Sequence, residues 1–401
     1  MMSYKLRQRL SVISLNMVYN ISTSAFGAIL ALIVIRLCSQ ELWGKMVEIL
    51  LWVGMAAHIL YWGNKDFLLK KFSLEPKNLH YHWQQNLYTR MWLLLAVFVI
   101  PFFLPIEFRL KLTVLVFLGA RFLYQSYDVI ILFKKRFLTS IVFETIAFII
   151  LVSFISIYKQ RLTLNRLVLA FAGAELVKGL GIYLIFHKEF PLRFLRFDKE
   201  YLVNALPFFL LGFTGLFQSK TDLMCVTILL PKPRVAQYSV YISFLLLVQA
   251  SSGFILTPFV KNIYRLKKDS IIRIANRLFF IGVIGTFIAI PTIDYILKIL
   301  YRITIPRIAL FSGGFFVIPV FYYSPIIYYL LKLNKQRMVV LINLTGIIAA
   351  FILNLILIPL NTNGISGATE AIAVTQWILL IIYTITGRQI FKNWYFRRNS
   401  V

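Results

Sequence analysis

The sequence has few residues that could form disulfide bonds or bind metal ions. Its two cysteines, Cys38 and Cys225, lie far apart, which excludes a disulfide scaffold and any metal-ligand spacing. We interpret both as small buried apolar residues. Of the four histidines, His80 and His82 come nearest to a motif, but they are only two positions apart in a polar stretch. No metal site is expected.

Charged residues are also scarce. They make up 14% of the chain, whereas apolar residues make up 60%. A soluble domain has about 25% charged and roughly 45–50% apolar residues. A soluble core of this length could not bury so much apolar surface, so lipid must cover part of the protein. The sequence therefore predicts an integral membrane protein.

Acidic residues are the rarest charged class, with 15 against 43 basic residues and a net charge of +28. In a soluble protein this excess would suggest a nucleic-acid partner. Here the basic residues fall mostly between apolar runs, where they orient helices and contact anionic lipid headgroups. We therefore expect membrane lipids as partners and no nucleic acid.

Apolar runs of membrane-spanning length recur along the whole chain. The first is too long for a cleaved signal sequence, so we interpret it as a retained span. Twelve spans are predicted near 12–35, 43–63, 91–106, 112–133, 137–157, 165–186, 202–230, 235–260, 278–297, 308–331, 338–360 and 366–387.

The distribution of basic residues predicts the orientation of these spans. With a cytoplasmic N-terminus, 28 of the 43 basic residues fall on the cytoplasmic side and 12 on the other. This bias predicts cytoplasmic N- and C-termini and an even number of spans. The polar loop at 187–201 suggests two six-helix lobes around a central cavity. These are residues 1–190 (helices 1–6) and 191–401 (helices 7–12, with a basic cytoplasmic tail).

Charged residues inside predicted spans are the most informative about function. A charge facing lipid costs about 3 kcal/mol, so nine would cost on the order of 25 kcal/mol. That exceeds the stability of a typical domain, about 5–15 kcal/mol. Most of them must face one another or water, which indicates a transporter with a polar interior. The nine are Glu48, Arg121, Asp128, Glu144, Glu175, Lys178, Lys220, Asp222 and Glu370.

The fourth predicted span carries a polar stripe. Arg121, Gln125 and Asp128 are spaced i, i+4 and i+7, which places them on one helix face. The stripe is either a polar seam between helices or a cavity lining in which Arg121 binds an anionic substrate. Arginine suits phosphate because its planar, permanently charged group donates two parallel hydrogen bonds.

Other polar residues are candidates on similar grounds. Glu175 and Lys178 can pair at i,i+3, so self-neutralisation competes with substrate contact. Lys220 and Asp222 point about 200° apart on a helix and need partners elsewhere. The candidate substrate-binding residues are Arg121, Lys178, Lys220, Gln125, Asn16 and Asn20. The candidate ion-coupling or charge-balancing residues are Asp128, Glu144, Glu175 and Asp222.

Three stretches resemble one family of transporters. Residues 204–244 contain a Pro-bearing helix, the basic-x-Asp element Lys220-Thr221-Asp222 and the helix start Val235-Ala236-Gln237-Tyr238-Ser239. This resembles the start of the C-terminal half of bacterial polysaccharide-exporting flippases, with Ala236 where the family usually has glycine. Residues 343–376 are similar to the junction between the family's helices eleven and twelve. Residues 62–73, WGNKDFLLKKFS, are similar to its entry into the first cytoplasmic loop.

The family is the Wzx-type flippases of lipid-linked oligosaccharides, within the superfamily that includes multidrug extruders. The resemblance implies transfer of an undecaprenyl-pyrophosphate-linked oligosaccharide to the periplasmic leaflet of the bacterial inner membrane. It implies alternating access between two lobes, coupling to a proton or sodium gradient, and no other cofactor. It also implies a polysaccharide polymerase and glycosyltransferases as partners in the same pathway.

Two other functions compete with the flippase. A drug/cation antiporter of the same superfamily would favour an acidic cavity over one containing Arg121, Lys178 and Lys220. A polytopic O-antigen polymerase or ligase would carry a large outer loop with catalytic Arg or His, and no such loop is visible in the sequence. We therefore expect a transporter and not an enzyme.

Overall fold

The structure is a computed structural model that describes residues 4–103, 107–191, 197–256, 266 and 268–398. Every regular element within these ranges is a helix. Helices satisfy their own backbone hydrogen bonds, which is what a chain crossing hydrocarbon requires. The expected all-α class is therefore confirmed.

The helices of the first half are α1 Tyr4–Leu37, α2 Gln40–Tyr61, α3 Asn64–Leu74, α4 Leu79–Val97, α5 Ile100–Phe103, α6 Phe108–Lys134, α7 Phe137–Tyr158 and α8 Leu164–Phe186. Those that follow are α9 Lys199–Gln218, α10 Thr221–Leu229, α11 Lys232–Leu256, α12 Lys268–Ile296, α13 Arg307–Lys332, α14 Gln336–Leu360 and α15 Ile365–Arg398.

Helix length and hydropathy support a protein that crosses the membrane many times. Within the described ranges, ten helical segments are long and apolar enough to span a bilayer, with α2 and α3 counted together as Gln40–Leu74. Two further long helices, α1 and α4, fall outside that criterion. Within the described chain, helix length and composition thus support ten of the twelve expected spans.

The third predicted span was wrong in position. Instead of one helix over 91–106, the chain forms α4 at Leu79–Val97 and the short α5 at Ile100–Phe103. The nine residues His82–Arg90 fall between the predicted spans 43–63 and 91–106, yet all of them are buried in α4. Several of their polar side chains bond to other protein segments, as Arg90 does to Leu60 and Ser126 and Gln84 does to Pro191, so protein replaces the water expected around a loop.

The seventh predicted span, 202–230, is divided into α9 and α10 at Ser219 and Lys220. The chain forms two compact units, Met1–Phe213 and Thr214–Val401. The division between these units lies within α9, whereas the lobe boundary at residue 190 stays a prediction about the transporter halves.

Small residues allow close helix packing in both units. In the first unit, a Cβ on Gly179 of α8 would lie 2.9 Å from the carbonyl oxygen of Ala120 in α6. In the second, a Cβ on Gly313 of α13 would lie 2.0 Å from the Tyr241 hydroxyl. Such small residues let membrane helices approach closely enough for van der Waals packing and hydrogen bonding.

Candidate functional site

A charged cluster lies inside the first unit, where α7 meets α8. The Lys178 Nζ is 2.8 Å from Glu175 Oε1 on its own helix and 3.3 Å from Glu144 Oε2 on α7. All three side chains are between 11% and 15% exposed. The expected i,i+3 pair of Glu175 and Lys178 is therefore present, and Glu144 joins it from a different helix.

Two tyrosines extend this cluster. The Tyr124 hydroxyl of α6 donates a 2.9 Å hydrogen bond to Glu144 Oε1, and the Tyr19 hydroxyl of α1 lies 3.2 Å from that of Tyr124. The Lys178 ammonium is 5.0 Å from the centre of the Tyr124 ring. Glu175 Oε2 is buried without a hydrogen-bond partner among the described residues. Two carboxylates thus share one ammonium, and the substrate-binding role of Lys178 stays a prediction.

The polar stripe of the fourth predicted span lies on the single continuous helix α6. Arg121, Gln125 and Asp128 are each partly exposed, and their spacing places them on one face. Within the described part of the chain, the Arg121 side chain makes no hydrogen bond or ion pair. Asp128 interacts electrostatically with Lys65 of α3, although the two do not form an ion pair. Arg121 is therefore the cation of this stripe that remains open to a ligand.

The WGN sequence at residues 62–64 interrupts the second span. Trp62 and Gly63 both adopt left-handed backbone conformations, with φ of 42° and 65°. A Cβ on Gly63 would lie 2.7 Å from the backbone nitrogen of Phe209, so only glycine permits this approach of α9. The Trp62 indole stacks on Phe209 with ring centres 4.1 Å apart and donates to the Leu202 carbonyl.

Arg90 of α4 is a buried residue that sequence reasoning missed. It is 1% exposed and donates hydrogen bonds to Asn86 Oδ1 at 2.8 Å, the Leu60 carbonyl at 3.0 Å and Ser126 Oγ at 3.0 Å. The guanidinium also lies 5.1 Å from the Phe122 ring centre. The sequence offered no signal for this burial, because a basic residue before an apolar run usually marks the membrane surface.

In the second unit, Lys220 and Asp222 follow the break between α9 and α10. Asp222 is 3% exposed, and its Oδ2 accepts a 2.5 Å hydrogen bond from the Tyr238 hydroxyl of α11. Lys220 is partly exposed, and its ammonium has no hydrogen-bond or ion-pair partner within the described residues. As the 200° separation predicted, these neighbours do not form an ion pair with each other.

Asp222 lines a partly open cavity of about 180 Å³ among the helices of the second unit. Two of its glutamines are held by neighbours: Gln249 Nε2 donates to the Phe316 carbonyl at 2.9 Å, and Gln376 Oε1 accepts from the Tyr323 hydroxyl at 2.6 Å. The lining is Gly215, Gln218, Ser219, Asp222, Ile242, Leu246, Gln249, Phe316, Val320, Tyr323, Ala350, Ile372, Thr375 and Gln376. The lining contains one carboxylate and no basic residue.

Gln249 and Gln376 are cavity residues that sequence reasoning missed. A glutamine within an apolar run was the available signal, although it does not indicate which way the side chain faces. The amides of α14 bond to protein groups: Asn343 accepts from the Tyr383 hydroxyl of α15 at 3.0 Å, and Asn354 donates to the Ala350 carbonyl of its own helix. The side chains of the candidates Asn16 and Asn20 lie outside the described residues.

The fold is similar to that of solved structures of other proteins. No protein-family profile matches the sequence, and no curated protein matches it. The structure is similar to that of the lipid II flippase MurJ in an inward closed conformation, with a TM-score of 0.70 and 13% identity over 93% of this chain and 87% of the other. It is similar to an inward-facing multidrug resistance MATE family transporter of the MOP superfamily, with a TM-score of 0.71 and 11% identity over 92% and 95% of the two chains.

The chain has the fold of these two solved structures. An outward-facing MATE family transporter matches less closely, with a TM-score of 0.54 and 13% identity over 95% of this chain and 93% of the other. At these identities the likeness establishes the fold alone. The ten long apolar segments of the described chain independently support a multi-pass membrane protein. These three structures are a flippase and transporters, whereas the resemblance to the Wzx-type family rests on the sequence motifs and stays a prediction.

Proposed function

We propose that this protein flips an undecaprenyl-pyrophosphate-linked oligosaccharide from the cytoplasmic to the periplasmic leaflet by alternating access. The fold supports a transporter, and the MurJ structure with the same fold is a lipid II flippase. The observation that carries the cargo assignment is Arg121, a partly exposed guanidinium within the candidate span Phe108–Lys134 that lacks a partner among the described residues. A pyrophosphate would supply the missing acceptors.

Lys220 supports the same class of cargo in the second unit. Its ammonium is partly exposed directly after the candidate span Lys199–Gln218. Lys178 is a weaker candidate, because Glu144 and Glu175 already neutralise it. In this proposal Arg121 of the first unit contacts the anionic part of the cargo and Gln125 adds hydrogen bonds to it, while Lys220 is a separate candidate contact in the second unit.

We further propose that a proton or sodium gradient drives the cycle. Asp222 is the best-placed coupling residue, because its buried carboxylate faces a cavity without a basic lining residue. Asp128, Glu144 and Glu175 then balance the charge of the first unit. Substitution of Asp222 by Asn should abolish the dependence of transport on the gradient and leave cargo binding largely intact.

The experiment is complementation of a bacterial strain that lacks its own flippase for a surface glycan, with the glycan measured at the cell surface. Arg121→Ala and Lys220→Ala should each abolish export while the protein remains in the membrane fraction. Lys298→Ala is the matched control, because Lys298 is exposed and pairs within its own helix with Asp294 at 2.6 Å. Wild-type surface glycan in both test variants would overturn the proposal.

A drug/cation antiporter is the second candidate, favoured by the acidic character of the Asp222 cavity. The two functions differ in their response to substitution of Arg121. An antiporter for cationic drugs should keep or gain drug efflux in Arg121→Ala, whereas a glycolipid flippase should lose export. Measurement of ethidium efflux and surface glycan in the same cells distinguishes them.

The proposed orientation has its own test. With both termini in the cytoplasm of a bacterial cell, a reporter fused after Lys77 should be cytoplasmic and one fused after Lys232 should be periplasmic. The reverse pair of readings would contradict the orientation while leaving the fold unchanged.

A further inference from the structure

Two described residues that follow α8 and precede α9 bond to buried polar residues of α4. Gln84 Nε2 donates a 2.7 Å hydrogen bond to the carbonyl of Pro191, five residues after the end of α8. The backbone N–H of Asp198 donates to Thr89 Oγ1 at 3.3 Å. The Asp198 carboxylate in turn accepts from the backbone N–H of Glu200 at 2.9 Å, as an N-cap does. Pro191 and Asp198 are thus both bonded to one helix of the first unit.

His82 makes the most specialised of these contacts. It is 5% exposed, its Nε2 lies 2.8 Å from Glu75 Oε2, and its Nδ1 makes a short hydrogen bond with the Tyr201 hydroxyl in the first turn of α9. An ionised carboxylate can only accept, so Nε2 carries the proton and Nδ1 accepts from Tyr201 in the neutral ring. The carboxylate therefore selects the tautomer that can bind the tyrosine.

Neighbouring side chains also hold Glu75, His82 and Tyr201 in place. Asn78 donates to Glu75 Oε2 at 3.4 Å, and Lys71 lies 3.9 Å from Glu75 Oε1. The Tyr81 ring meets the His82 imidazole edge-on, and Phe67 meets Tyr201 in the same way with ring centres 5.5 Å apart. The hydrogen bond from His82 lowers the pKa of Glu75, so the carboxylate stays ionised at neutral pH.

We propose that Glu75, His82 and Tyr201 form a positioning relay that holds the first turn of α9 against α4. A carboxylate, an imidazole and a phenol from three segments make a directional chain of hydrogen bonds, which packing alone would not require. The importance of the relay for transport rests on the proposed function, because α9 is the helix that leads along the chain to Lys220 and Asp222. The relay itself is a property of the first unit and can be tested without cargo.

The direct test is amide hydrogen exchange of the purified full-length protein in lipid nanodiscs. His82→Ala should speed exchange in the first turns of α9, at Tyr201–Ala205, by roughly fivefold, because the hydrogen bond to Tyr201 that is lost is worth about 1 kcal/mol. His82→Asn should restore most of the protection, since an amide can also donate to Glu75 and accept from Tyr201. His80→Ala is the matched control, because His80 is exposed on the same helix and stacks on Phe190.

Tyr201→Phe provides a second variant that keeps the ring and removes only the hydroxyl. It should reproduce the faster exchange at the start of α9 without lowering the yield of folded protein. Wild-type exchange rates in both His82→Ala and Tyr201→Phe would overturn the relay. Equal impairment of His82→Asn and His82→Ala would do the same, because it would show that the volume of the ring matters rather than its hydrogen bonds.

Surface export separates failure of the relay from failure of the proposed function. If the wild-type protein exports glycan, His82→Ala should reduce export several-fold and His82→Asn should recover it. Normal export by His82→Ala despite faster exchange would contradict the link to transport. If the wild-type protein exports no glycan, the proposed cargo is wrong, and the exchange data still decide whether the relay exists.

Discussion

Removal of the buried Lys178 ammonium tests how much its ion pairs with Glu175 and Glu144 stabilise the first unit. In Lys178→Met, Glu175 and Glu144 would lose the cation that now lies 2.8 Å and 3.3 Å from them. Glu175 should suffer most, because Lys178 is the partner of its Oε1 and its Oε2 already lacks one among the described residues. Glu144 retains the hydrogen bond from Tyr124.

The expected loss of stability is large. Breaking a buried ion pair by removing one partner costs about 3–5 kcal/mol, because the remaining charge stays buried. For a unit of roughly 200 residues, a loss of 1 kcal/mol lowers the melting temperature by about 2–4 °C. Lys178→Met should therefore melt roughly 6–20 °C below the wild type, measured by intrinsic tryptophan fluorescence in detergent.

A double substitution provides the control. In Lys178→Met with Glu175→Gln the second charge of the pair is also absent, so most of the lost stability should return. Lys298→Met should change the melting temperature little, because the exposed pair with Asp294 contributes at most about 1 kcal/mol. An unchanged melting temperature in Lys178→Met, or no recovery in the double variant, would refute this view of the cluster.

Three further predictions concern the first unit. Arg90→Met should destabilise the protein by about 3 kcal/mol or more in thermal unfolding, because it leaves three acceptors without their donor; a wild-type melting temperature would contradict this. Gly63→Ala should lower the yield of folded protein, because its Cβ would lie 2.7 Å from the Phe209 nitrogen and the backbone there is left-handed. Gly54→Ala is the control and should be tolerated, because a Cβ there would meet open space. The pKa of Glu75 is lower in the folded protein than the ordinary carboxyl pKa of about 4.3. Ionised Glu75 therefore stabilises the folded state above about pH 4.3, and this stabilisation is lost as the pH falls through the lower pKa of the folded state. Exchange at the start of α9 should therefore be insensitive to Glu75 protonation between pH 7 and 5, once intrinsic rates are subtracted, and rise in stronger acid; Glu75→Gln should lack that rise.

The helical architecture followed from local patterns in the sequence. Apolar runs of spanning length predict helices wherever hydrocarbon replaces water, because the backbone N–H and C=O groups must then hydrogen-bond to one another. The i,i+3 spacing of Glu175 and Lys178 predicted a pair that the structure contains at 2.8 Å. The i, i+4, i+7 spacing likewise predicted the stripe on α6, since helix geometry alone sets which residues share a face.

Contacts between helices could not be predicted in the same way. Glu144 reaches Lys178 across 34 residues of sequence, and Tyr238 reaches Asp222 across 16. Which side chains meet depends on how the helices pack, and hydropathy carries no information about that. Arg90 shows the consequence, because a residue expected in a loop at the membrane surface became a buried donor to three acceptors.

The sequence by itself therefore determined that lipid surrounds the protein, that the chain is helical, and that it contains polar groups which lipid could not accommodate. Tertiary structure alone decided which of these groups neutralise one another and which remain open to a ligand. Lys178 is paired with two carboxylates, whereas Arg121 is not paired within the described chain. The physical reason is that burial of a charge is costly unless a partner is brought to within a few ångströms, and only packing of distant segments sets that distance.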